Sequence, residues 1–446
     1  MMTPSTKPSR RILLRTVAVI VGLVAVLVAL VAGILAPYYF SVHIAQTSLL
    51  TLTAIVAFGV VAWLGMRLGA ALWRTNQPAR FATTTATALT IVFFVALYFI
   101  ILRPLPLRYT EVVAAENGKY WHLPTGSTIS YQEFLPPAGT EVKPDPIVFL
   151  HGGPGLRFGP FDSEIYSKYA ADGFRVYLYD QTGSGASTRL RHVREYTIAR
   201  AVEDLEAIRL QLHAERMILI GHSWGSTLAA SYMAKYPAHV SKVVFHSPGS
   251  IWKIRDSYPD EYNRTDAGTQ TQGFPPLRLI AGLYLLDRNL EAGEQTVPQR
   301  EAEEMMGPME ARAGSTVICK GDAAKLPAVI AGVKDQPDNP GLNPYVLQRL
   351  IDLTMDPQGD PHAALKANKT PAIVLVGECN YIPWRVALDY RQTFSNLKIF
   401  SFPKAGHYLQ FEQPQLMTEV IRSFLLDQPY AIAPYTGDGD PSPLPN

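Results

Sequence analysis

An α/β domain with a mainly parallel sheet, preceded by three membrane-spanning helices, is the architecture that the sequence predicts. Three observations predict it. The first 104 residues contain three long apolar stretches with no internal charge. From Leu105 to about Gln428, short β-like runs alternate with helical patterns, the signature of strands joined by helical crossovers. One such run, Ile218-Leu219-Ile220, passes through Gly221-His222-Ser223-Trp224-Gly225 into the small-residue helical stretch from Ser226 to Tyr232.

The apolar stretches are Thr16–Ala36, Ser48–Met66 and Ala82–Leu102. Each has about 20 residues, enough at about 1.5 Å per residue to cross a hydrocarbon core of about 30 Å. A cleaved signal peptide would account for the first only. Residues 1–104 have no Asp or Glu and eight Lys or Arg, so this part carries +8 of a net +2 and leaves −6 for the rest. Four cations precede the first stretch, and Arg67, Arg74 and Arg80 flank the second connection. The first connection, 37–46, has none. The positive-inside tendency then puts the N-terminus and second connection in the cytoplasm and everything after Leu102 on the outer face. No charge lies deep in a span, so the part reads as an anchor rather than a transport path.

In the globular part, Tyr109–Ala115 and Ser127–Leu135 read as antiparallel edge strands, and Ile147–Leu150, Phe174–Leu178, Ile218–Ile220, Val240–Phe245, Ala372–Val376 and Lys398–Phe402 as the sheet. Val202, Leu205, Ile208 and Leu212 recur at helical spacing ahead of the Ser223 strand. The last helix is Gln415–Leu426. Between about 248 and 369 the strand pattern stops and Pro-rich helical segments replace it, as expected of a helical cap. The acidic stretch Glu301, Glu303, Glu304 and Glu310 within it reads as a solvated helix face. The tail, 429–446, is rich in Pro, Gly and Asp and is expected to be disordered.

The chemistry follows from the turn at Ser223. Gly-x-Ser-x-Gly between a strand and a helix exposes a hydroxyl on a strained elbow, and the flanking glycines leave room for the backbone to fold so tightly. A nucleophile there needs two N–H donors for the oxyanion. One is the N–H of Trp224; the other comes from the glycine loop His151-Gly152-Gly153-Pro154-Gly155, with Gly153 the expected residue. The base should follow late in the chain, and among ten histidines His407, in Ala405-Gly406-His407 after the last strand, is placed for it. The orienting acid is expected in the loop after Ala372–Val376, but Asn380 stands at the matching position. Three readings stay open: Asn380 orients the histidine as an amide, Glu378 substitutes from the same loop, or Asp256 reaches in.

These motifs, with Asp180-Gln181-x-Gly183-Ser184-Gly185-x-Ser187, resemble the α/β-hydrolase superfamily and its proline iminopeptidase-like branch over about Tyr109–Leu426. The resemblance implies an α/β-hydrolase fold, and a serine peptidase that removes N-terminal residues, often proline, from short peptides. Ser223 would be acylated, His407 would be the base, and Gly153 and Trp224 would hold the oxyanion. Thr182 stands where arginine is usual and Asn380 where aspartate is usual, and the three-span anchor is not part of the family pattern.

The expected domains are therefore an anchor over 1–104 (membrane-embedded through 16–102), a hydrolase over 105–428 and the tail. The expected substrate is a small peptide, with an ester on the same scaffold as the alternative and a non-catalytic binding protein as the second. No metal or organic cofactor is implied, no basic patch with interleaved aromatics points to nucleic acid, and oligomeric state is left open. Cys319 and Cys379 are too few for a disulfide framework; on the outer face a single bridge is open to them, and two buried thiols are the alternative.

Overall fold

The computed structural model describes residues 7–107, 118–252, 275–313, 319, 341–351 and 359–441. The expected strand at Tyr109–Ala115 and the candidate acid Asp256 lie outside them. The chain forms two compact units: residues 1–106 with 275–301, and residues 107–274 with 302–446.

The first unit is built on three helices, α1 (Lys7–Ser41), α2 (Thr47–Trp73) and α3 (Pro78–Leu97), the last continuing as a π-helical turn through Leu102. All three are long and apolar enough to cross a membrane. Short connections make them antiparallel, and small residues let them approach closely: a Cβ on Gly65 would fall 2.0 Å from that of Ala25. Ala29, Phe58, Ala62 and Ala86 form the centre of the bundle, and Phe58 stacks on Phe93 at 4.4 Å. Residues 275–301 pack with this bundle, although the sequence reads them as part of the cap. The reason is apolar surface: Leu285 and Ala292 are buried against Leu50.

The second unit holds an eight-stranded sheet. Its strands are β1 (Lys119–His122), β2 (Thr128–Phe134), β3 (Ile147–Leu150), β4 (Val176–Tyr179), β5 (Met217–His222), β6 (Val240–His246), β7 (Ala372–Gly377) and β8 (Leu397–Phe402). The order is β1-β2-β4-β3-β5-β6-β7-β8, with β1 and β2 antiparallel and β3 to β8 parallel. Strands β3, β4, β5 and β7 are buried at every position, as a sheet covered by helices on both faces requires. The helices that matter for the site are α4 (Pro160–Tyr166), α5 (Ile198–Gln211) and α6 (Trp224–Lys235).

Within the insert, α7 (Leu277–Leu286) and α8 (Leu290–Thr296) belong to the first unit, and α9 (Gln299–Ala313) begins there. Helices α10 (Pro344–Ile351) and α11 (His362–Lys366) belong to the second unit, followed by α12 (Trp384–Thr393), α13 (Leu409–Glu412) and α14 (Pro414–Leu425). The solvated face expected of the insert's acidic stretch does not form at Glu301 and Glu303, and the Glu310 side chain lies outside the described residues. Glu301 is buried against Arg278, and Glu303 is fully buried in a bidentate pair with Arg189, at 2.9 and 2.7 Å. Each carboxylate has a guanidinium to neutralise it, which is the condition under which such groups are buried at all. Of the tail, residues 429–441 are described: the Tyr435 N–H donates to the Ile399 carbonyl at 2.7 Å, and Tyr430 packs on Phe400. Cys319 and Cys379 are bridged, with their Cα atoms 5.1 Å apart.

Candidate active site

Every residue of the candidate site stands at the carboxyl ends of the parallel strands, where an open α/β sheet places its ligands. Ser223 follows β5 directly and has φ 54° and ψ −118°, a left-handed conformation that costs roughly 1–3 kcal/mol for a residue with a Cβ. Its neighbours permit the turn only as glycines. A Cβ on Gly221 would fall 2.5 Å from the Gly225 carbonyl oxygen, and one on Gly225 would fall 2.0 Å from the Leu150 oxygen. The elbow is tied back by the Ser223 N–H, which donates to His246 O at 2.8 Å, and by the N–H groups of Ser226 and Gly249, which both donate to Ser223 O at 2.9 Å. Trp224 is the first residue of α6, so its N–H belongs to the turn that has no intrahelical acceptor.

The glycine loop after β3 lies against this elbow: a Cβ on Gly152 would be 3.1 Å from that of Ser223. Gly153 has φ +119°, and the Gly153–Pro154 peptide is cis. His151 locks the loop to the one after β4. Its Nε2 accepts from the Gln181 N–H at 2.9 Å, which leaves Nδ1 to donate to Gly152 O at 2.8 Å. The Gln181 side chain returns a bond to His151 O at 2.8 Å and accepts from the Trp224 indole at 3.2 Å. At position 182 the threonine hydroxyl donates to Asp204 at 2.6 Å, and Asp204 receives its guanidinium from Arg200 instead.

His407, in the loop between β8 and α13, reaches Asn380 in the loop after β7. The distance from Nδ1 to the Asn380 Oδ1 is 2.9 Å. The same oxygen accepts the Ile382 N–H at 3.1 Å, which fixes the amide with its oxygen toward the ring. Nδ1 must then be the donor, and Nε2 carries the lone pair a base needs. The two loops meet because Gly377 has no side chain: a Cβ there would fall 2.2 Å from Ala405 O. Burial, with the neighbouring His222 second, holds the His407 pKa well below the ordinary histidine value. His222 packs between the rings of His246, His407 and Tyr408, at 4.6, 5.0 and 4.9 Å, rather than reaching toward the hydroxyl side of the elbow. The ring of His222, the residue before Ser223, thus packs against the ring of His407.

Among the sequence candidates for the third position, Asn380 makes the contact. Glu378 turns away, accepting the Lys404 N–H at 3.1 Å. Sequence reasoning missed three residues. Tyr381 packs on the His407 ring at 4.5 Å, Gln181 joins the two motif loops, and the buried Glu412 accepts the N–H of Gly406 at 2.5 Å, one residue before His407. Gln181 lay inside a motif the sequence displays; Tyr381 and Glu412 carry no pattern of their own.

Sheet, elbow and glycine loop together define an α/β hydrolase, and residues 145–277 match the family model described as alpha/beta hydrolase fold. Within that class the similarity is to the proline iminopeptidase-like branch. A proline iminopeptidase of Heyndrickxia coagulans is 39% identical over 128 residues, which are 28% of this chain and 41% of that protein. The Saccharolobus solfataricus proline iminopeptidase is 24% identical over 299 residues, 64% of this chain and 86% of that protein. The crystal structure of the Mycobacterium smegmatis proline iminopeptidase covers 70% of this chain and 98% of its own, with 21% identity and a TM-score of 0.46. The chain spans less than half the length of the first curated relatives it matches.

Proposed function

We propose that this chain is a membrane-anchored serine hydrolase, an aminopeptidase of proline iminopeptidase type, with its hydrolase domain on the outer face of the membrane. The observation that carries the reading is the orientation of His407: Asn380 holds Nδ1–H, so Nε2 keeps the lone pair a base needs, while Ser223 sits on an elbow of the kind that carries a nucleophile. In this reading His407 takes the Ser223 proton as the hydroxyl attacks the carbonyl carbon. The N–H groups of Trp224 and Gly153 receive the oxyanion. The protonated His407 then gives its proton to the leaving amine, and water releases the acyl group from Ser223 by the same steps in reverse. Sequence similarity to proline iminopeptidases supports the peptidase reading over an esterase. Three helices with the length and composition of membrane spans, and the cation bias of their connections, support the anchor and its orientation.

The purified chain should hydrolyse proline naphthylamide in preference to p-nitrophenyl butyrate. The reverse preference would assign the scaffold to esters, and activity on neither together with unlabelled Ser223 would make it a binding protein. An alkaline phosphatase fusion after Leu105 should be active, and a silent one would reverse the orientation.

A further inference from the structure

Helix α7 is apolar on both faces, with Leu279, Gly282, Leu285 and Leu286 buried and no charged residue turned outward. Its one charged residue, Arg278, is buried, and its guanidinium donates to both oxygens of Glu301, at 2.6 and 2.7 Å, and to the carbonyl of Ile101. The outward stripe, at helical spacing, is Leu277, Ile280, Ala281 and Tyr284, with Leu277 58% and Ile280 38% exposed. A surface helix in water shows a polar outer face instead.

The position of the helix says what covers that stripe. Tyr284 stacks on Tyr38 of α1 at 4.1 Å, Arg288 lies 4.7 Å over the same Tyr38 ring, and the Asn289 side chain donates to Ser41 O at 2.8 Å. Ile101, bonded by Arg278, is in the last turn after α3, and Leu50, packed on Leu285, is in the first turn of α2. Helices α7 and α8 therefore lie across the one end of the bundle where α1 stops, α2 starts and α3 runs out. That end carries tyrosines and arginines, the residues that mark a membrane–water interface. At ten residues, about 15 Å, α7 is too short to span.

We propose that the Leu277–Ile280–Tyr284 face of α7 is a second, non-spanning membrane contact that lies in the headgroup layer of the bilayer. A segment that the sequence places between two strands of the hydrolase sheet thereby becomes part of the membrane surface. The inference rests on the three long helices crossing the bilayer. It adds that residues 275–301 travel with them.

The test uses the full chain in lipid nanodiscs. With Cys319 and Cys379 bridged, the variants Ile280→Cys, Val92→Cys and Leu210→Cys each present one reactive thiol for a bimane label. Val92, 65% exposed on α3, reports the hydrocarbon core, and Leu210, 57% exposed on α5, reports water. Replacing the lipid by a phospholipid brominated high in its acyl chains should quench both Ile280 and Val92 and leave Leu210 bright, because an interfacial helix buries its apolar face about 5–10 Å deep. Full brightness at Ile280 with quenching at Val92 overturns the inference and leaves the anchor standing. Full brightness at both overturns both.

Discussion

Replacing Asn380 by aspartate tests whether the amide does what a carboxylate does in other hydrolases of this fold. The side chain is buried, its Oδ1 lies 2.9 Å from His407 Nδ1, and its Nδ2 has no partner among the described residues. Two effects oppose each other in Asn380→Asp. A buried carboxylate beside a neutral imidazole costs several kcal/mol of desolvation. Once His407 is protonated the pair attracts, by about 6 kcal/mol at this range and an effective dielectric of about 20. The second effect acts when the imidazolium forms, as the proposed attack by Ser223 requires. A carboxylate neighbour raises a pKa by about 1–3 units, so the variant should gain about 10- to 1,000-fold in acylation rate at neutral pH. It should also lose stability when His407 is neutral. The assay is the rate of fluorophosphonate labelling from pH 4 to pH 9. In the parent protein the acid limb should lie well below the ordinary histidine pKa, because burial holds His407 neutral. In Asn380→Asp the limb should move up by about 1–3 pH units as the rate rises. A folded variant whose rate and acid limb both stay where they were would refute the argument that Asn380 orients the base.

Further predictions follow from the same geometry. Burial lowers the pKa of His222 to about 4 and holds those of His246 and His407 well below the ordinary value, so the unfolded chain binds more protons than the folded one between about pH 4 and 6.5. Stability is therefore fully present above about pH 6.5 and falls as the solution is acidified, with His222 alone contributing a loss of about 3 kcal/mol by pH 4. Urea midpoints that stay level from pH 7.5 to pH 5 would contradict this. Gly225→Ala, which drives a Cβ into the Leu150 carbonyl, should abolish fluorophosphonate labelling, whereas Gly126→Ala, with open space around it, should cost only about 1 kcal/mol and leave labelling intact. Breaking the buried Arg189–Glu303 pair by Glu303→Gln should destabilise by about 3–5 kcal/mol, and Arg189→Met with Glu303→Leu should recover most of it; melting curves that leave the double variant as unstable as the single one would count against burial as the cause.

Much of this was legible in the sequence because the chemistry is local. Gly221, Ser223 and Gly225 constrain one turn, and the runs at 147–150, 218–220 and 372–376 are apolar at each position because both faces of the sheet are covered. The places of Asn380 and His407 after β7 and β8 made their pairing one of three open readings, beside Glu378 and Asp256. What the sequence hid was long-range partnership. Glu303 looks like any exposed acid until Arg189, more than a hundred residues earlier, is folded against it. Leu277–Leu286 looks like a cap helix because its apolar residues do not say whether their burial partner is the sheet or the three-helix bundle. Strand β1 is short and reads Lys-Tyr-Trp-His, without the alternation that announces a strand, and Tyr435 joins β8 through backbone atoms alone.

The central claim is a hydroxyl made reactive by an imidazole two loops away, and mass-spectrometric mapping after fluorophosphonate treatment tests it most directly. The account predicts a single adduct on Ser223, lost in Ser223→Ala and slowed at least about 1,000-fold in His407→Ala, whose base is gone. An unmodified Ser223 in the folded protein, or labelling that is indifferent to His407, would contradict it.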